Sequence, residues 1–141
     1  MGSSNRRLDF KMTEFPYFQR FFSVEQANQL LEVIRPLVAE LIDAANELLT
    51  FHPQLEGMLE KAVNNGGIHE PGPALESSSR VQDLATQILS YDVLIKDIQN
   101  GLIDFPSRRD GRVVLLCWRF GEPEVAYWHE IETGYAGRQP V

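Results

Sequence analysis

A single cysteine in the whole chain excludes an internal disulfide framework and gives no sign of an oxidising compartment. Basic residues are also scarce. Thirteen Lys and Arg face twenty Asp and Glu, and the formal net charge of −7 argues against non-specific binding to nucleic acid or to anionic membranes. No apolar run approaches the roughly 20 residues that a membrane-spanning helix needs. The opening MGSSNRRLDFKM carries two arginines with no apolar run behind them, so it does not read as a secretory signal. Residues 1–14 are expected to be disordered, with Met12 a second candidate start. Several chemical signatures are missing too. There is no paired-cysteine or paired-histidine metal spacing, no Gly-rich phosphate loop and no serine in a nucleophile elbow. The expectation is a cytoplasmic protein with no nucleic-acid and no membrane partner.

What is present suffices for a real core. A length of 141 residues with an apolar fraction of 43% suits one globular domain, placed at 15–141. Phe15 to Phe22 is aromatic-rich and holds Pro16, which suits an edge strand or a strand start. Ser23 then reads as a helix N-cap, with Gln26 three residues on as a capping box requires. Phe22 and Ala27 hold the positions of a weak hydrophobic staple. Ala27, Leu31, Ile34, Val38, Leu41, Ala45 and Leu48 alternate spacings of four and three, and Leu30, Leu37 and Ala44 widen the stripe. Pro36 interrupts this helix and must kink it or leave a carbonyl unpaired.

The helix ends at Phe51 to Pro53, and Gln54 to Val63 is a candidate short helix. Residues 64–79 read as a mobile connector, opened by Asn64-Asn65-Gly66-Gly67. Ser77, Ser78 or Ser79 is the expected cap of a second long helix with the seam Val81, Leu84, Ile88, Tyr91, Ile95, Ile98, Leu102, and Gly101 is its expected C′ residue. The period then changes from 3.6 to 2. Leu102–Phe105, Val113–Phe120 and Val125–Ile131 are strand candidates, with Asp110-Gly111 a strong hairpin turn. The predicted fold is α+β. A long antiparallel helical hairpin (23–100), coiled-coil-like in its seams, packs on a three- to four-stranded antiparallel meander (102–131) that is followed by a tail (132–141).

The segment GLIDFPSRRDGRVVLLCWRFGEPEVAYWHEIETGYAGRQP, with FFSVEQANQLL near the start, resembles the bacterial family of unknown function DUF2203. The resemblance spans Phe18 to the C-terminus and is strongest in the last third. The matching positions are Asp104, Phe105, Pro106, Trp118, Gly121, Glu122, Trp128, His129, Glu130, Gly137 and Arg138. It implies a small bacterial protein with a helical hairpin and a short sheet. It carries over no catalytic residue, activity or cofactor.

Three constellations in this segment could carry chemistry. His129, Glu130, Cys117 and Asp104 are metal-ligand types. Adjacent residues on a strand point to opposite faces, so His129 and Glu130 cannot both face one ion without a bulge. The expectation is that no metal binds, with His129 a hydrogen-bonded residue at a sheet edge and Cys117 a small buried hydrophobe; Cys117 and His129 are the candidates for the alternative, a metal site. Pairing Arg119 with Val125 puts Cys117 opposite Tyr127 and His129 opposite Leu115. Cys117, Tyr127 and His129 then share one face; Trp118, Trp128, Glu130 and Asp104 are expected on the other. Second, Arg108, Arg109, Arg112, Arg119 and Arg138 accompany Asp104, Asp110, Glu122, Glu124 and Glu130. They either clamp the tail to the sheet or form a pocket for a small anionic ligand. Third, Trp118 and Trp128 either pack on the helices or anchor a partner. Val113, Leu115 and Cys117 alternate with Val114, Leu116 and Trp118, so both sheet faces are apolar. One face should meet the helices; the other calls for a cover, for which a second copy of the chain is expected. The resulting expectation is a homodimeric, non-enzymatic assembly module. The alternative is a small-molecule or metal-dependent enzyme whose site draws on Asp104, Arg119, Glu122, His129, Glu130 and Arg138.

Overall fold

Ser23 starts the long helix in the predicted manner. The computed structural model describes residues 18–64 and 75–141, and helix α1 spans Val24–Phe51. Ser23 is extended (φ −77, ψ 167); its Oγ accepts from Gln26 N–H at 3.0 Å, and its own N–H donates to Gln26 Oε1 at 2.9 Å. This reciprocal pair satisfies two of the donors that a helix start leaves open. The predicted seam is buried from Ala27 to Leu48. Pro36 sits on the exposed side of α1, as does Glu32, whose carbonyl loses its intrahelical partner. A missing N–H costs least where water can reach that carbonyl.

A 3-10 turn (Pro53–Leu55) and helix α2 (Leu59–Asn64) replace the one short helix expected over Gln54 to Val63. Gly57 separates them with a left-handed backbone, φ 82. The expected N-terminal disordered segment, the start of the extended element after it and most of the expected connector lie outside the described residues. Helix α3 covers Leu75–Leu89 and departs from expectation at both ends. Ser77, Ser78 and Ser79 lie within it, so none of them caps it, and residues 75–79 are helical. The chain leaves the helix at Ser90-Tyr91-Asp92. There Asp92 N–H donates to the Leu89 carbonyl and Asp92 itself adopts φ 67. A short polar side chain thus takes the left-handed position expected of Gly101. The three-and-four spacing runs on past this point without meaning. Ile95 and Ile98 are buried, but in a strand and a turn.

Five strands, one or two more than predicted, form an antiparallel sheet in chain order: β1 (Leu94–Asp97), β2 (Leu102–Arg109), β3 (Arg112–Arg119), β4 (Tyr127–His129) and β5 (Gln139–Pro140). β1 comes from the stretch read as helix and β5 from the tail. Asp110 (φ 54) and Gly111 (φ 77) make the two-residue turn that joins Arg109 to Arg112, and both central residues have the positive φ of a type I′ hairpin. Ile103, Phe105, Val114, Leu116, Trp118 and Trp128 point to the helices and join their core. The opposite face is also closed. Leu115 and Cys117 are buried within the single chain, and the segment from Glu130 to Arg138 folds over that face. The protein's own tail thus lies over part of the face for which a second copy is the expected cover.

Gly101 shows how tightly the β1–β2 turn meets α1. Its backbone is left-handed (φ 64), and a Cβ there would lie 2.5 Å from Phe120 Cβ and 3.1 Å from Val38 Cγ1. Gly101→Ala is expected to destabilise the fold by about 2–4 kcal/mol, strain and overpacking together. The urea denaturation midpoint should fall with an unchanged slope.

Candidate functional site

Three adjacent strands each contribute one metal-ligand residue type to the face under the tail. Asp104 on β2 pairs in register with Cys117 on β3, and Cys117 pairs with Tyr127 on β4. His129 lies two residues beyond Tyr127, opposite Leu115. Its imidazole reaches across β3, and Nε2 comes 3.0 Å from Asp104 Oδ2. All three residues are buried, and one ligand atom from each lies within 4.8 Å of the others. The predicted β3–β4 register is correct, and Cys117, Tyr127 and His129 share a face. Asp104 does not lie with the tryptophans as expected. The two-residue turn pairs Arg109 with Arg112, and counting back along that ladder puts Asp104 opposite Cys117.

The protons of this cluster follow from its partners. His129 Nδ1 lies 2.7 Å from the Glu130 carbonyl oxygen, which can only accept, so Nδ1 carries hydrogen. Nε2 then faces the Asp104 carboxylate. Without a cation between them, that contact needs a shared proton, and the raised His129 pKa favours the ring as its carrier. Burial by itself would lower the His129 pKa, but the hydrogen bond donated to Asp104, the Glu130 carbonyl and the Asp104 charge together raise it above its ordinary value, against opposition from Lys96. Burial, then Asp104, pushes the Cys117 thiol up to about 12, with Arg138 pulling the other way. Asp104 Oδ1 is buried with no hydrogen-bond partner among the described residues, and such orphaned oxygens are rare.

A cleft of about 240 Å³ opens onto this cluster, walled by Lys96, Leu102 and Tyr135. Sequence reasoning missed these walls. The helical spacing that runs through Ile95 and Ile98 places Lys96 in a helix, and Tyr135 falls in a Gly-rich tail with no periodic pattern.

The remaining predicted site residues do not converge there. Trp118 is fully buried against the helices and donates from Nε1 to the Glu122 carbonyl at 3.0 Å. Trp128 packs in the same core beneath the Arg109 guanidinium, 4.8 Å from its ring centroid. The arginines scatter: Arg108 stacks on Phe21, Arg112 pairs with Glu130 at 2.7 Å, and Arg119 donates to Asn100 at 3.0 Å. Arg138 is the clamp. It lies between the Tyr127 and Tyr135 rings, 4.1 and 4.5 Å from their centroids, and pairs with Glu122 at 2.7 Å. The tail-clamping role is thus filled by Arg138, while Arg119 lines a separate cleft with Asn100 and Phe120. Of the other histidines, His52 caps the C-terminal end of α1 and His69 lies outside the described residues.

The family model described as an uncharacterized conserved protein, DUF2203, matches residues 20–141. The chain belongs to the DUF2203 family. No curated protein and no solved structure matches it. In this DUF2203 chain the resemblance positions Asp104 and His129 fall in the cluster, while Glu122 and Arg138 hold the tail across it.

Two outcomes follow from this geometry. In metal-free protein the His129–Asp104 pair contributes stability that is fully present below pH about 6.5, the unfolded histidine value, and is lost as pH rises through the raised folded value. Melting temperature should fall across that window, and His129→Gln should flatten the profile. Arg138→Met should loosen the tail and raise the rate at which a disulfide reagent labels Cys117, the sole thiol, by about tenfold.

Proposed function

We propose that this protein is a metal-dependent protein that holds one borderline-soft divalent ion, of which zinc is the type, through Asp104 Oδ, Cys117 Sγ and His129 Nε2. The observation that carries this reading is the convergence of three different ligand types within 4.8 Å, with the histidine oriented by a backbone carbonyl. That carbonyl contact is the outer-shell bond that fixes the tautomer of metal-bound histidines and leaves the other nitrogen free to ligate. A bound ion would also give Asp104 Oδ1 a partner.

The donor set limits the ion. A thiolate beside an imidazole and a carboxylate disfavours magnesium and calcium, which take oxygen ligands. Tetrahedral zinc with bonds of about 2.0–2.3 Å holds its ligands about 3.3–3.6 Å apart, so binding draws this group inward by up to about 1 Å. Three protein ligands beneath a cleft correspond to the open, catalytic type of site; structural sites close with a fourth side chain. Such an ion acts as a Lewis acid toward a bound small molecule. A second copy of the chain is not required to cover the outer sheet face, and this is why the site, rather than an assembly surface, supports the functional reading best.

Protein stripped with a chelator and dialysed against zinc is expected to retain about one ion per chain by elemental analysis. Near pH 6, where His129 and Cys117 both carry protons, binding should release about two protons per ion, falling toward one at higher pH. Cobalt should give a thiolate-to-metal absorption band that Cys117→Ser abolishes. His129→Gln should weaken the ion by more than about 100-fold, since even outer-shell losses cost 10–100-fold. Wild-type protein that retains no more zinc than the doubly substituted Cys117→Ser, His129→Gln chain would overturn the proposal.

A further inference from the structure

The β1–β2 ladder contains a bulge that changes what faces the cleft. Leu94 pairs with Asp104 and Ile95 with Ile103, but the next pair is Asp97 with Leu102. Lys96 is the extra residue, with no partner across the ladder. In a regular strand, Lys96 and Asp97 would point to opposite faces. Leu102 and Asp104 belong to the face beneath the tail, so the bulge turns both Lys96 and Asp97 to that side, and both line the cleft. Bulges commonly re-aim a side chain beside a functional site.

The two charges are not equivalent. Both Asp97 carboxylate oxygens are engaged in the turn, accepting from Asn100 N–H at 3.0 Å and Asn100 Nδ2 at 2.9 Å. Lys96 has no ion pair or hydrogen bond among the described residues. Its ammonium is the free donor at the cleft, while Leu102 and the Tyr135 ring provide apolar wall. A thiolate and a carboxylate would already offset the charge of a divalent ion, so the positive charge that favours an anion at the open position has to come from Lys96. A cleft of about 240 Å³ admits only a small one.

We propose that the open position of the Asp104–Cys117–His129 centre takes a small oxyanion, a carboxylate or a phosphate, and that Lys96 selects it by bonding the oxyanion's second oxygen. This rests on the metal reading above. It assigns to Lys96, on β1, a ligand-binding role at this cleft that none of the five arginines of the C-terminal segment fills.

The test uses full-length protein loaded with cobalt and titrated separately with acetate and with inorganic phosphate, following the cobalt visible spectrum. Saturable spectral change with at least one of the two anions is expected; the one that binds tighter identifies the class. Lys96→Met should weaken that anion by about tenfold or more and leave cobalt affinity within about twofold. Acetamide, of similar size and uncharged, should not compete. Loss of the thiolate band during titration would mean that the anion strips the ion, which overturns the inference. So would a normal cobalt band that neither anion perturbs, or equal anion affinity in Lys96→Met. Absence of any cobalt band in the wild type removes the metal reading and this inference together, which separates the two failures.

Discussion

Register decides which side of the sheet each residue of β2 and β3 faces, and here two residues set it. Asp110 and Gly111 fit a tight turn because both adopt positive φ, and the turn's twist matches that of the strands. Every pair from Arg109–Arg112 back to Leu102–Arg119 follows from that one connection. A slip of one residue would send Asp104 into the apolar core beneath the helices and bring Phe105 to the outer face. The core enforces the same choice, since Phe105, Leu116 and Trp118 fill the space under α1 and α3. Turn chemistry and burial agree, and their agreement leaves a carboxylate, a thiol and an imidazole together on the other side.

That side is unusual in being both buried and polar. Burying charged groups is costly unless they are paired, and a lone cluster of this kind would destabilise a small domain. The tail lowers the cost by supplying partners. The Glu130 carbonyl orients His129, and Arg138 reaches back between two tyrosine rings to Glu122. Glu122 in turn accepts the Arg119 N–H at 2.8 Å, so the β3–β4 turn and the tail are tied through one carboxylate. The chain closes its own second sheet face in this way, while one orphaned oxygen, Asp104 Oδ1, stays beneath the cleft.

Much of the fold was legible in the residues. Capping box, α1 seam, Asp-Gly hairpin and β3–β4 register all rest on local chemistry or on strict period, and each is found in place. The second helix was misread because Val81, Leu84 and Ile88 continue into Ile95 and Ile98 at helical spacing, although β-branched residues at such spacing serve a strand and a turn equally well. Asp92 was the overlooked stop signal, since left-handed backbone at Asp is less common than at Gly. In the cluster, the shared face of Cys117 and His129 follows from parity, whereas parity without the hairpin register puts Asp104 on the wrong face. Its face could have been had by counting back from the turn. Lys96 could not, because a bulge carries no reliable sequence mark.

The amino-acid sequence by itself determined the α+β class, the extent of α1, the hairpin turn and the residue types able to ligate an ion, because these depend on neighbours within a few positions along the chain. Only the tertiary structure decided that α3 stops at Leu89, that β1 exists, that the tail folds over the outer face, and that three ligand types from three strands meet beneath Lys96. Those outcomes depend on contacts between segments far apart in the chain, where packing and the pairing of buried charges outweigh local preference.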